Sequence, residues 1–334
     1  MTELTTHSML TTFKRCPRQA MYQYVDCLRP KAPARPLRMG TWFHYLLEAH
    51  YKGEDWKIKH RELIDRQEEL FFEEQIADVP LSCYRLMESY LWYYQLEPKF
   101  GWHVLEVELE LEAEWPDGTP HKCKLDLLVE ITIQGKKFVI IVDHKLRSTF
   151  PKMLQRFLDS QSLTYIWMTH KNGIKVDGFM WNYIRMAPPT VPQILKDGTL
   201  SKRAIKTDWL TLTRSIKANS LDTREYHDEL QELRKVYWRP DKINNSPFFR
   251  REMVDKDSAT VRRMVIEMYR TKKRLANYDF SKRDAVERVI NDDCTWRCAF
   301  SDICSTELFG GNADLLRQNH YNIVNPLDYY TDCS

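Results

Sequence analysis

The order of apolar and polar residues changes character along the chain. From residue 5 to about 97 apolar positions recur at helical spacing: TTHSMLTTFKRCPRQAMYQYV predicts a helical segment broken by the proline after Cys16, and RMGTWFHYLLEAHY predicts a second, opening at Gly40 and Thr41. In that second segment His44 and Glu48 lie four residues apart, on one face. Residues 56–97 predict a third helical stretch, dense in charge and aromatics. The pattern then turns to alternation. HVLEVELELEAEW, KCKLDLLVEITI and KKFVIIVDHK predict three strands, the last almost continuous in its apolar part. FPKMLQRFLDSQSLTYIWMTH follows as one helix and VDGFMWNYIRM as another strand; APPTVPQ punctuates the chain, and residues 195–290 read as mainly helical, polar and rich in Lys and Arg.

Between the second and third predicted strands lies Ile133-Gln134-Gly135-Lys136. Gly tolerates positive φ, so Gln134 and Gly135 suit a two-residue hairpin turn. Such a turn pairs Ile133 with Lys136 and, seven steps on, sets Asp126 opposite Asp143 on one side of the sheet, with Lys145 sharing that face. The apolar strand therefore runs straight into Asp143-His144-Lys145 with no turn to end it. Two opposed carboxylates repel unless a divalent cation compensates them, and oxygen ligands suit Mg²⁺ or Mn²⁺. A lysine beside such a site can orient or help deprotonate an attacking water, while the cation stabilises charge on a phosphate. The competing reading is that Asp143 and Lys145 cap a strand end and pair with each other at the surface, since an isolated D-x-K is common by chance.

Composition narrows the setting. The chain has 334 residues, 43% hydrophobic and 29% charged, a net charge of +3 and a pI near 8.3, so charge permits a nucleic-acid partner without demanding one. No apolar run is long enough for a membrane span, and MTELTTHSMLTTFKRC lacks the basic and apolar regions of a secretory signal, so a cytoplasmic protein is expected. Eight cysteines in such a chain favour metal ligation, catalysis or burial over disulfides. Cys294, Cys298 and Cys304 are close enough in sequence to wrap a compact inorganic centre, but they offer three thiolates and need a fourth from elsewhere.

The order Asp126, hairpin, Asp143-His144-Lys145, then a helix with Gln161 and Tyr165, resembles the RecB-like branch of the PD-(D/E)XK nuclease superfamily. The resemblance implies an α/β fold, with a mixed central sheet flanked by helices, a helical elaboration and a terminus closed by an iron–sulfur cluster. One nuclease domain would span residues 1–334: an N-terminal helical part over 1–100, a catalytic core over 101–187, a mainly helical insertion over 188–290 and a cysteine segment over 291–334. GTWFHYLLE looks like the branch's histidine motif and implies His44 as a metal ligand beside Asp126 and Asp143. Lys145 matches the catalytic lysine, and QSLTY implies that Gln161 and Tyr165 line the site or contact DNA. Glu106 and Glu108 lie where the family often carries acidic residues, without an assigned role. Cys123 replaces a Gly often found three residues before the first Asp, a change expected to concern packing. By alternation His144 points away from the metal, as a packed or bridging residue.

RecB-like exonucleases such as AddB and the CRISPR-associated member hold a [4Fe-4S] cluster with one N-terminal and three C-terminal cysteines. This implies Cys16 with Cys294, Cys298 and Cys304; structural Zn²⁺ is the chemical alternative and Cys27 the alternative fourth ligand. The first C-terminal gap holds three residues, Thr295, Trp296 and Arg297, where the family usually has two. Cys83, Cys123 and Cys333 are expected to be ordinary. Among basic residues Arg18 and Arg38 lie next to the motifs and are the favoured DNA contacts, with Arg147 after them and Arg15, Arg35, Lys152, Lys202, Arg203 and Lys206 as weaker candidates. Trp42, Tyr45 and Trp167 read as core before base-stacking residues. The absence of a Walker A pattern means that unwinding would need a helicase, a recombinase or a single-strand-binding partner. The expected function is a metal-dependent DNA exonuclease in recombination, repair or phage DNA metabolism. The alternatives are a structure-specific endonuclease, or a non-catalytic DNA-binding or assembly subunit that keeps the fold.

Overall fold

The computed structural model describes residues 4–66, 78–201, 206–238, 246–254 and 257–328. A short strand β1 (Thr5–Thr6) leads into α1 (His7–Arg15), whose first turn is capped by the Thr6 hydroxyl accepting from Met9 N. Pro17 then opens α2 (Pro17–Ala20), where its missing N–H costs nothing, and a π-helical turn (Met21–Val25) leads to strand β2 (Leu28–Pro30). Helices α3 (Arg35–Tyr51), α4 (Trp56–Asp65) and α5 (Val79–Tyr94) complete the N-terminal part. α3 begins five residues before Gly40.

Strands β3 (His103–Glu114), β4 (Pro120–Ile133) and β5 (Lys136–Arg147) follow as the alternation predicts. Gln134 and Gly135 take φ of 51° and 75°, the pair of positive values that a type I′ hairpin turn requires, and the register runs from Ile133 with Lys136 to Leu127 with Val142. The single helix expected next is two: α6 (Met153–Phe157) and α7 (Ser160–Lys171), parted where the Asp159 side chain accepts from Gln161 N and starts a new helix. β6 (Gly178–Arg185) runs parallel to β5.

The region expected to be mainly helical contains α8 (Trp209–Ala218), α9 (His227–Arg234) and α10 (Ser258–Ala276), but it also gives the sheet an antiparallel strand, β7 (Phe249–Val254). Its C-terminal continuation holds α11 (Asp293–Trp296), α12 (Ser301–Leu308), α13 (Asp314–His320) and β8 (Tyr321–Ile323), which pairs with β2.

The main sheet runs β1-β4-β5-β6-β7, with β3 on the other edge of β4. α3 and α5 cover one face, packing Phe43, Leu46, Leu86 and Tyr90 on Leu127, Val129, Ile140 and Val142. α7 covers the other, packing Leu163, Ile166 and Met168 on Leu125, Leu128, Ile141 and Trp181. Each such fully buried side chain contributes roughly 1.5–3 kcal/mol. No helix among the described residues is long and apolar enough to cross a membrane.

Candidate active site

The site arises where two paired strands separate. β4 pairs with β5 as far as Leu127 and Val142, and on the same edge β1 takes over at His121 and Lys122. Asp126 lies in the gap between them. There its Oδ2 accepts from the His144 backbone N–H at 2.6 Å, so a side chain replaces the lost ladder bond. His44, on α3, closes the other side: its Nδ1 lies 2.8 Å from the Gly40 carbonyl and its Nε2 lies 2.9 Å from the His144 carbonyl and 3.4 Å from Asp126 Oδ2. Carbonyl oxygens only accept, so both ring nitrogens carry protons and the imidazole is a cation. Burial opposes that charge, but Asp126 and the Gly40 carbonyl outweigh it and raise the His44 pKa to about 9. Burial would likewise raise Asp126, yet His44 holds its carboxyl well below the usual carboxylate range.

Asp143 is also buried. Its Oδ1 accepts from Gln161 Nε2 at 2.9 Å, and the same amide donates to the Tyr165 hydroxyl at 3.0 Å. The Lys145 ammonium pairs with Oδ2 at 2.6 Å. Burial, helped by Asp126, pushes the Asp143 carboxyl up to about 7 against the pull of Lys145. Burial disfavours the Lys145 charge, but Asp143 and Asp126 keep it raised and cationic.

The donor set suits a hard divalent cation in kind: two carboxylates, a main-chain carbonyl and an imidazole. Yet no three His, Cys, Asp or Glu side chains among the described residues are drawn together as a metal site. The His44 proton and the Lys145 ammonium now occupy the positions where a cation would compensate the carboxylates.

Two neighbours of the site had no role assigned from the sequence. His7, at the start of α1, meets Ser160 Oγ through Nε2 at 2.9 Å; burial and then Lys145 lower its pKa to about 4, so it is neutral. Glu108 follows the register to a place opposite Asp126, takes a φ of 56° and pairs with Lys124 at 2.8 Å. Its raised pKa follows from burial, with Asp126 adding to the rise against Lys124.

The His144 imidazole points to the opposite face, as alternation predicts. It stacks on Tyr51 and meets Asn182 Nδ2 at 2.7 Å through Nδ1. From there Asn182 donates to the Tyr90 hydroxyl at 2.8 Å, and Tyr90 and Tyr51 share the Arg251 guanidinium at 3.0 Å each. Arg251 in turn pairs with buried Glu97 and lies over Tyr94 and Trp102, at 3.7 and 4.0 Å from the ring centres.

Of the expected DNA contacts, Arg18 needs correction: it is 2% exposed and paired with Glu307 at 3.3 Å, so it cannot reach a phosphate. Arg38 is mostly buried with its Nε 3.4 Å from the Pro33 carbonyl, whereas Arg147 is exposed at the end of β5. Arg15, Lys152 and Lys206 are exposed, and Arg35 is tied to Asp78. Lys202, Arg203 and Cys333 lie outside the described residues. Trp42 is core and Trp167 packs on Trp115, while Tyr45 is exposed. Far along the chain but beside Arg18, Cys16, Cys294, Cys298 and Cys304 line one cavity of about 260 Å³; Cys27 is not among its lining residues. The thiols there form no disulfide, Cys294 Sγ donates to the Val289 carbonyl at 3.7 Å, and burial, with the neighbouring cysteines, raises the pKa of Cys298.

A family model described as the PD-(D/E)XK nuclease superfamily matches residues 5–305, and the chain belongs to that superfamily. It is therefore a nuclease by family, with DNA as the implied substrate and Mg²⁺ or Mn²⁺ as the usual cofactor of its kind. No curated protein matches the sequence. Among solved structures it is similar to SSO0001, at 13% identity over 91% of this chain and 86% of that one with a TM-score of 0.33. It is also similar to a "Putative exonuclease" from Eubacterium rectale, at 12% identity over 72% and 84% with a TM-score of 0.37. Likenesses this slight carry no argument about activity.

Proposed function

We propose that this chain is a RecB-like exonuclease that hydrolyses DNA phosphodiester bonds with Mg²⁺ or Mn²⁺. The observation that supports it best is the meeting of His44, Asp126, Asp143, Lys145 and Gln161 where β4 and β5 part. Asp126, Asp143, the His144 carbonyl and His44 would hold the cation, which when bound supplies charge stabilisation at the scissile phosphate. His44 must then release its Nε2 proton. Lys145, kept cationic by both carboxylates, orients the attacking water and the phosphate oxygen rather than serving as the first proton acceptor. Gln161 fixes the Asp143 carboxylate, and Tyr165 fixes Gln161. End-labelled linear DNA and closed circular DNA, each with Mg²⁺, Mn²⁺ or EDTA, test the reading. Stepwise loss of linear DNA alone is expected; nicked circles would make it an endonuclease, and binding without cleavage a non-catalytic subunit.

The same reading includes a [4Fe-4S] cluster on Cys16, Cys294, Cys298 and Cys304, with an architectural role. Its support is that the four thiols share one cavity. Anaerobically prepared protein should be brown with about four irons per chain, where zinc would leave it colourless. Cys16→Ala should bleach it and lower its stability, since metal binding and folding are coupled.

A further inference from the structure

α6 presents a row of large apolar side chains to solvent. Met153, Leu154 and Leu158 are 65%, 68% and 65% exposed, Phe157 is half exposed, and none of the helix's residues is buried. Positions 153 and 157, and 154 and 158, are each one turn apart, so the four make a single ridge. The ridge is anchored, because Arg156 on its inner side pairs with Glu252 of β7. It also stands beside the chemistry. Leu158 lies three positions before Gln161, which binds Asp143, and three steps of chain span at most about 11 Å.

We propose that this ridge is a wedge that inserts between bases at the end of a DNA duplex and unstacks them as one strand enters the site. The proposal rests on the nuclease reading and adds to it how the duplex end is held. Three observations favour DNA as the occupant. Arg147 and Lys152, both exposed, lie in the segment that leads from β5 into the ridge and form no ion pair among the described residues, so both are open to phosphates of a strand held there. The short chain distance from Leu158 to Gln161 puts the ridge within a few nucleotides' length of a phosphate held at Asp143. And Leu, Met and Phe are the side chains that proteins push between base steps, whereas an exposed row of them serves no purpose in a free surface.

The test uses the full-length protein and a blunt duplex carrying 2-aminopurine at its terminal pairs, with EDTA present so that binding proceeds without cleavage. Wild type should raise the 2-aminopurine fluorescence, and the Leu154→Gln, Leu158→Gln double variant should lose most of that rise. With Mg²⁺ the variant's ratio of duplex to single-strand cleavage should fall about tenfold, at an unchanged melting temperature because both side chains face water. An equal fluorescence rise with an equal cleavage ratio overturns the proposal. So does wild type that self-associates through these residues while the variant is monomeric and its DNA parameters are unchanged, for then the ridge docks a second copy. Wild type that neither binds nor cuts DNA would sink the nuclease reading as well, whereas wild type that cuts no better than the variant sinks the wedge alone.

Discussion

On one side of β5, Asp143 and Lys145 meet Gln161, Trp181 and the gap beside Asp126; on the other, His144 stands in a chain of hydrogen bonds through Asn182, Tyr90, Tyr51 and Arg251 to Glu97. Both sides are buried and both hold charge, yet they are finished differently. The His144 side is closed: burial, outweighed only in part by Asp126, lowers its imidazole to about 3 and leaves it neutral, and the one guanidinium is held by a carboxylate and aromatic faces. The Asp143 side is left open, with a carboxyl displaced from its ordinary range and a proton on His44 that a cation would expel. A closed network can hold the His144 backbone still. An open one can accept a ligand.

The largest expected effect lies on the open side. Asp126→Ala or Asp143→Ala should lower DNA cleavage by about a thousandfold or more in a protein that still folds, with Asp126→Ala also lowering the melting temperature because it strips the His44 cation and the His144 N–H of their partner. Lys145→Ala should lose turnover to a similar degree but still bind Mn²⁺ in calorimetry; a fully active variant would reduce Lys145 to a strand-end ion pair. Removing a partner on the closed side should act on stability instead. Glu97→Gln leaves the Arg251 charge buried and unpaired, and urea unfolding should show a loss of about 3–5 kcal/mol. If that variant instead folds normally and loses cleavage, the division between the two sides is wrong.

A pH series in EDTA sharpens the comparison. Metal-free folded protein keeps the Asp143 proton up to about pH 7, whereas the unfolded chain releases it near 3.8. The folded state therefore binds more protons in that window, and this group's contribution, fully present below the lower value, is lost as pH rises through the upper. Asp143→Asn should remove the decline, so that the variant gains on wild type between these pH values. The smallest effect should come from Tyr90→Phe, which removes one hydroxyl from the closed network; about 1 kcal/mol of stability is expected, with cleavage unchanged.

The central hairpin was legible because Gln134-Gly135 announces its turn and a two-residue turn dictates the whole register. The opposition of Asp126 and Asp143 expected from that arithmetic does not form, whereas the turn of His144 to the opposite face does. What the register could not convey is that β5 leaves β4 at that point, which is why Asp126 bonds the His144 N–H rather than facing Asp143 across a ladder. β7 was missed because FRREMV places a charge, Arg251, at an inward position, and Glu97, which compensates it, is 154 residues away. Arg18 was misread for a related reason: its neighbours in sequence are site motifs, but Glu307, 289 residues on, takes it inside. The break between α6 and α7 did have a local signal, Asp159 ahead of Ser160 and Gln161, which the apolar periodicity running across it concealed.

The pairing of the chain's first and last segments bears on how the protein is made. Arg18 waits for Glu307, Asp26 for Arg283 and Arg317, and Leu28 for Ile323. A ribosome adding about 5–20 residues per second takes on the order of 10–50 s to pass from β2 to the first of those partners. Through that interval Met21, Tyr22 and Leu28, all buried at the end, have no C-terminal cover. The sheet can assemble meanwhile, since each of its strands is complete by Val254. Nascent chains stalled before Arg283 should accordingly carry a formed sheet and an uncovered N-terminal apolar segment, and the demand for a chaperone would fall on that segment.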